Sequence, residues 1–278
     1  MDSPVRAPWI EPVPESAVPG IVWPAIPSDR NAQAFAILAQ LEMSQWWPPE
    51  ILMRQQLRQA TQLVSFAART VPFYRERLAA FAGREEPLTR EEWRSIPFLT
   101  KEELRDADER IVTTRPLDGH GNLQRVMTSG STGAPISVQW NAIAGRFHAG
   151  ITLRDHLWHR RDPAKKMAVV KRLRDGFETD TLSVQATRWF PGYRSGPTVF
   201  FDPREDIDAA LDWFAREDPD YLMIYPTYLR SMILRSRETG FRPDRLAEVA
   251  TVSEAVDDQL RKSSDGYSTV SSPLRRRK

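Results

Sequence analysis

"DPDYLMIYPTYLRSMILRSRETG" (residues 218–240) decides the fold. Tyr221 to Tyr225 is an apolar run of the length of a buried strand, and helical spacing follows at once over residues 227–239. Leu229 and Ile233 share one face of that helix, and Gly240 stands where a C-cap belongs. The same alternation recurs on both sides. "MAVVK" (167–171), "TVFF" (198–201) and "VATVS" (249–253) are further buried-strand runs, with a helical pattern over about 205–216 carrying Ile207, Leu211 and Phe214. Strands alternating with helices imply an α/β fold whose mainly parallel sheet is covered on both faces. No internal repeat is present. No apolar run follows "VATVS", so no further strand is expected beside it.

Upstream, "RVMTSGSTGAPISVQW" (125–140) places two alternating runs around a polar, Gly-rich loop. "LQRVM" reads as one strand and "ISVQW" as the other, with Ile136, Val138 and Trp140 on one side. Asn141 can cap a helix carrying Ile143, Phe147, Ile151 and Trp158. The region before it reads as a helical layer. Ser28 can cap a helix from Asp29 to about Gln45, with Ala34, Ile37, Leu38 and Leu41 on one face. Met53, Leu57, Ala60, Val64, Ala67 and Val71 form an apolar stripe on the next helix. Thr89 with Glu92 and Thr100 with Glu103 are two capping boxes that open short helices. The organisation expected is a Pro-rich extended arm (1–27), a helical region (28–122), a partial α/β domain (123–261) and a Ser-rich, basic, disordered tail (262–278). The arm holds seven of the 22 prolines.

Composition narrows the function classes. Of the net charge of +2, residues 262–278 carry five positive groups and one negative, so the remainder of the chain is slightly acidic. The body shows no Lys/Arg stripe of the kind that follows a phosphate backbone, and no nucleic-acid partner is expected. There is no cysteine, which excludes disulfides and thiolate metal sites. His156 and His159 are three apart but lack a metal signature or a third ligand, so no metal site is assigned. No secretory leader and no apolar run of about 20 residues is found, so a cytoplasmic chain without a membrane partner is expected.

Thr128, Ser129, Gly130, Ser131, Thr132 and Gly133 can turn successive N–H groups and hydroxyls into one anion-binding concavity. A plain hairpin turn has the same composition. A Walker A loop is excluded, because only two residues separate the glycines and no Lys follows.

"TSGSTGAP" resembles the phosphate-loop signature of the adenylate-forming superfamily: acyl-CoA synthetases, luciferases and nonribosomal adenylation domains. More narrowly, three stretches resemble the phenylacetate–CoA ligase and CapK-like branch, which includes coenzyme F390 synthetases. They are "RQQLRQATQLVSFAARTVPFYRERLAAFA", "LTREEWRSIPFLTKEELRD", and "DPDYLMIYPTYLRSMI" followed by "LAEVATVSEAV". Together they cover about residues 50–261. The resemblance implies that Thr128 to Gly133 hold the ATP β- and γ-phosphates, and that Ser253, Glu254 and Ala255 border the adenine. It also implies that Pro226, Thr227 and Tyr228 begin the carboxylate-substrate side. ATP, Mg2+ and CoA are the implied cofactors and a small carboxylic acid the implied partner. On their residue types alone, Glu254 also reads as a surface carboxylate, Thr227 as an N-cap, and Lys171 and Arg172 as an exposed strand end.

The chain also departs from the pattern. Ile136 stands where many superfamily loops carry Lys. The family's aromatic–Gly–x–Thr–Glu motif, which serves the α-phosphate and Mg2+, has only an echo in Tyr267, Ser268 and Thr269, with Val270 in place of the Glu. The later ribose-binding Asp and the small domain with its catalytic Lys are missing. No catalytic residue is therefore assigned. The expectation is an N-terminal portion of a carboxylate–CoA ligase, weak or inactive alone; the alternative is a nucleotide-binding or interaction module without chemistry.

Overall fold

A computed structural model of the chain describes residues 13–115, 117–127, 137–173, 189–264 and 269–271. They divide into two compact units, Phe35–Ile151 and Met1–Ala34 with Thr152–Lys278.

The first unit is mainly helical. Helix α1 (Asp29–Ser44) runs across the division, followed by α2 (Pro49–Thr70), α3 (Tyr74–Arg77), α4 (Arg90–Ser95) and α5 (Lys101–Ala107). From Leu57 onward the stripe on α2 turns inward, while Met53 is exposed: Val64 is buried with Ala68, Leu78 and Leu88, and Leu57, Ala67, Tyr74 and Phe81 pack against them. Thr61 lies on the same face and is buried. Its hydroxyl donates to the Leu57 carbonyl at 2.7 Å and accepts the Leu88 N–H at 2.8 Å, which ties the segment before α4 to α2. Both capping boxes form as the spacing predicts, Thr89 with Glu92 on α4 and Thr100 with Glu103 on α5. Each box glutamate also takes an arginine at 2.6 Å, Arg84 on Glu92 and Arg77 on Glu103. The Arg84 hydrogen bond, then the Thr89 N–H, pulls Glu92 down to about 2. β1 (Gln124–Met127) and β2 (Ser137–Trp140) pair antiparallel from Gln124↔Trp140 to Met127↔Ser137. Asn141 caps α6 (Ala142–Trp158) by accepting the Ala144 N–H at 2.8 Å.

The second unit is built on five parallel strands: β3 (Met167–Val170), β4 (Thr198–Phe201), β5 (Tyr221–Ile224), β6 (Glu248–Thr251) and β7 (Thr269–Ser271), in the order β4-β3-β5-β6-β7. All four residues of β4 and of β6 are buried, as a strand covered on both faces requires. Side chains alternate across the sheet. Ala168, Val170, Val199, Phe201, Leu222, Ile224 and Val249 pack under α7 (Ile207–Glu217), α8 (Pro226–Thr239) and α9 (Asp258–Ser264). Pro226 opens α8, and Gly240 closes it at φ 75°, the left-handed position that favours glycine. The opposite face carries Tyr221 and Glu248. Arg161, buried, donates to both Glu248 oxygens at 2.8 and 3.2 Å, to Asp155 at 2.6 Å and to His156 Nδ1 at 2.8 Å. The arm is joined to this unit by a bridge from Pro14 to Tyr193.

One expectation is corrected. A strand does follow β6: β7 pairs with it from Glu248↔Thr269 to Ala250↔Ser271. A three-residue edge strand within a Ser-rich segment carries no apolar period by which to find it. On α6, Phe147, Ile151 and Trp158 are exposed, while Gly150, Leu153 and His156 are buried. Apolar residues lie on every side of this helix, so periodicity alone does not choose its inner face.

Candidate functional site

Parallel α/β sheets place ligands beyond the carboxyl ends of their strands, where neighbouring strands send the chain in opposite directions. Here that point lies between β3 and β5: β3 leads to β4 on one side, and β5 leads to β6 on the other. Past β5 come Tyr225, Pro226 and Thr227; past β6 come Val252, Ser253 and Glu254.

These two turns meet. Glu254 Oε2 accepts the Thr227 N–H at 2.9 Å, and Oε1 accepts the Thr227 hydroxyl at 3.0 Å. Thr227 is thus not the N-cap of α8. Tyr225 holds that place without a side-chain bond, Pro226 follows as the first helical residue, and the Glu254 carboxylate takes the next free N–H. Ser253 has a φ of 67°, a left-handed backbone uncommon outside glycine. The Glu254 N–H closes the turn on the Val252 carbonyl at 2.9 Å, and the Val252 N–H bonds the Ile224 carbonyl at 3.1 Å. Ser253, Glu254 and Ala255 are all exposed. A second tie follows from Arg230 to Asp257 at 2.7 Å. The Leu260 N–H, then Arg230, holds the Asp257 carboxyl below its ordinary range.

Tyr228 has its hydroxyl buried with no hydrogen-bond partner among the described residues. Burial first, then the Asp206, Asp202 and Glu205 carboxylates, pushes its phenol up to about 12. The group therefore stays protonated and can donate to an acceptor. The Thr251 hydroxyl, at the end of β6, is also buried and unpartnered, as is Trp213 Nε1 within the helical cover. Asp202, just past β4, accepts the N–H of Leu173 at 2.9 Å and pairs with Arg204 at 2.8 Å. It clamps the two strand ends together. Burial raises its carboxyl, but the hydrogen bonds outweigh this and the net shift is downward. Lys171 and Arg172 are exposed past β3, with Lys171 Nζ 4.4 Å over the Phe200 ring.

Thr128, Ser129, Gly130, Ser131, Thr132 and Gly133 lie outside the described residues; the strands they join form the hairpin described above. Thr251 and Asp202 escape the sequence reading, although a polar residue ending an apolar strand run is a signal available for both. His156 is accounted for by packing. Arginine only donates, so His156 Nδ1 accepts from Arg161, and Nε2–H donates to the Trp189 carbonyl at 3.2 Å. Among the described residues no three His, Asp or Glu side chains converge as a metal would need, and no helix is long and apolar enough to cross a membrane.

No protein-family model and no curated protein matches the sequence. Solved structures do match in fold. One is 2-hydroxyisobutyryl-CoA ligase in an open conformation with 2-HIB-AMP and CoA, at a TM-score of 0.59 and 16% identity over 81% of this chain and 54% of that one. The same enzyme in the postadenylation state with R3-HIB-AMP matches at a TM-score of 0.57 and 15% identity, over 81% of this chain and 48% of that one. The chain spans about half the length of that enzyme. Over four fifths of its own length, it has the α/β fold of this acyl-CoA ligase.

Proposed function

We propose that the chain carries the nucleotide- and acid-binding part of an ATP-dependent carboxylate–CoA ligase of the adenylate-forming kind, in the phenylacetate–CoA ligase and CapK-like branch. In such a reaction a carboxylate oxygen attacks the α-phosphorus of ATP, the bond to pyrophosphate breaks, and an acyl-adenylate forms. The CoA sulfur then attacks the acyl carbon, and AMP leaves with the electron pair of the broken bond. Thr128 to Gly133 would hold the β- and γ-phosphates through backbone N–H groups and hydroxyls. Ser253, Glu254 and Ala255 would border the adenine. Pro226, Thr227 and Tyr228 begin the acid side.

The observation that carries this reading is the meeting of the two turns at the strand ends, where the Glu254 carboxylate takes both donors of Thr227. Mg2+ finds no converging acids among the described residues, so no step is routed through it. The developing charge at phosphorus needs preorganised donors, and no described residue is assigned that role.

Calorimetric titration of the full chain with ATP, AMP and a non-hydrolysable arylacetyl-adenylate analogue tests the reading. ATP is expected to bind, and the analogue to bind at least about tenfold more tightly than AMP, because it fills both sides. No ATP binding would sink the proposal. An analogue that binds no better than AMP favours a nucleotide-binding module without chemistry.

A further inference from the structure

We infer that Thr227 is a positioning residue for the nucleotide side, acting through Glu254. This inference rests on the nucleotide reading of Ser253–Ala255. Thr227 turns both of its donors, the backbone N–H and the hydroxyl, onto the two oxygens of one carboxylate, at 2.9 and 3.0 Å. Two donors on one residue fix the plane of that carboxylate as well as its distance. Glu254 is exposed, and its free side chain would otherwise spread over several rotamers. Its anchor is a turn of α8, whose Leu229, Met232 and Ile233 are buried in the core.

Ser253 stands in the left-handed region, and the short Glu254 N–H to Val252 carbonyl bond closes the bend. Non-glycine residues in that region persist where their surroundings hold them there. Contacts between this turn and α8 include the Thr227–Glu254 pair, the Arg230–Asp257 ion pair three residues further on, and Val256, which packs on the core that α8 lines. Arg230 and Asp257 are both partly or fully solvated, and an exposed pair of that kind adds little. The Thr227 pair bonds residue 254 itself to α8, whereas the other contacts lie at its flanks.

The test is ATP titration calorimetry on the full chain and three variants: Thr227→Val, Thr227→Ser and Glu254→Ala, with Thr227→Val also combined with Glu254→Ala. Thr227→Val is expected to weaken ATP binding about tenfold, the scale of one hydrogen bond to a charged group. Thr227→Ser restores the hydroxyl and is expected to bind within about twofold of the original chain. In the Glu254→Ala background, Thr227→Val is expected to cost nothing more, since its effect passes through the missing carboxylate. Glu254 is exposed, so its replacement leaves the core intact and the cycle readable. ATP binding unchanged in Thr227→Val, or a loss that persists without Glu254, overturns the inference and leaves the proposed function standing. No ATP binding by the original chain overturns both.

Discussion

His156 should make the sheet-bearing unit acid-sensitive in a pH window where carboxylates are still ionised. The ring is buried against the Trp189 and Phe190 rings, each with its centroid 5.0 Å away. Burial first, then the Arg161 guanidinium 2.8 Å from Nδ1, pushes its pKa down from 6.5 to about 4, against a smaller upward pull from Asp155. The unfolded chain takes up a proton near 6.5, while the folded chain resists until about 4. Acidification through that window therefore favours the unfolded state. Between pH 7 and pH 5 the linkage amounts to about 2 kcal/mol, and it approaches about 3 kcal/mol as the pH nears 4. The assay is urea unfolding at pH 7 and pH 5, followed by amide hydrogen exchange in β5 and β6, because two compact units need not unfold together. His156→Gln is the control. It removes the titrating ring but leaves His159 in place, so the difference in pH slope between the two chains isolates His156. Equal stability of the original chain at both pH values would refute the reasoning. So would an unchanged slope in His156→Gln.

Two further substitutions probe one unit each. Gly196→Ala would bring a Cβ to 2.4 Å from the carbonyl oxygens of Ala164 and Lys165, both backbone atoms, and should lower stability by about 2 kcal/mol in urea unfolding. Thr61→Val keeps the shape but strips the Leu88 N–H of its acceptor, and should cost about 1–3 kcal/mol, read from protection of the helical unit's amides.

Local chemistry was legible wherever the signal lies within a few residues. The capping boxes at Thr89 and Thr100, the Asn141 cap and the Gly240 terminus each depend on neighbours within four positions, and each forms as its spacing predicts. The apolar runs that became β3 to β6, and their alternation with α7 and α8, likewise announced a parallel sheet, because strands buried on both faces must be apolar throughout. The inner face of α6 was not legible for the opposite reason. Its apolar residues surround the helix, and only packing selected Leu153 and His156 over Phe147 and Ile151.

The sequence by itself determined the α/β class and the order of its elements, since periodicity and capping are properties of adjacent residues. Only the tertiary structure decided what the functional side chains do. Thr227 and Glu254 are 27 positions apart, and no local pattern says that a threonine with the composition of a cap will spend both donors on that distant carboxylate. Nor does it say that the Tyr228 hydroxyl, on the first turn of α8, ends up buried and without a partner among the described residues. Those outcomes depend on β5 and β6 lying side by side. Strand adjacency brings the turns at their carboxyl ends within hydrogen-bonding reach, whatever the length of chain between them.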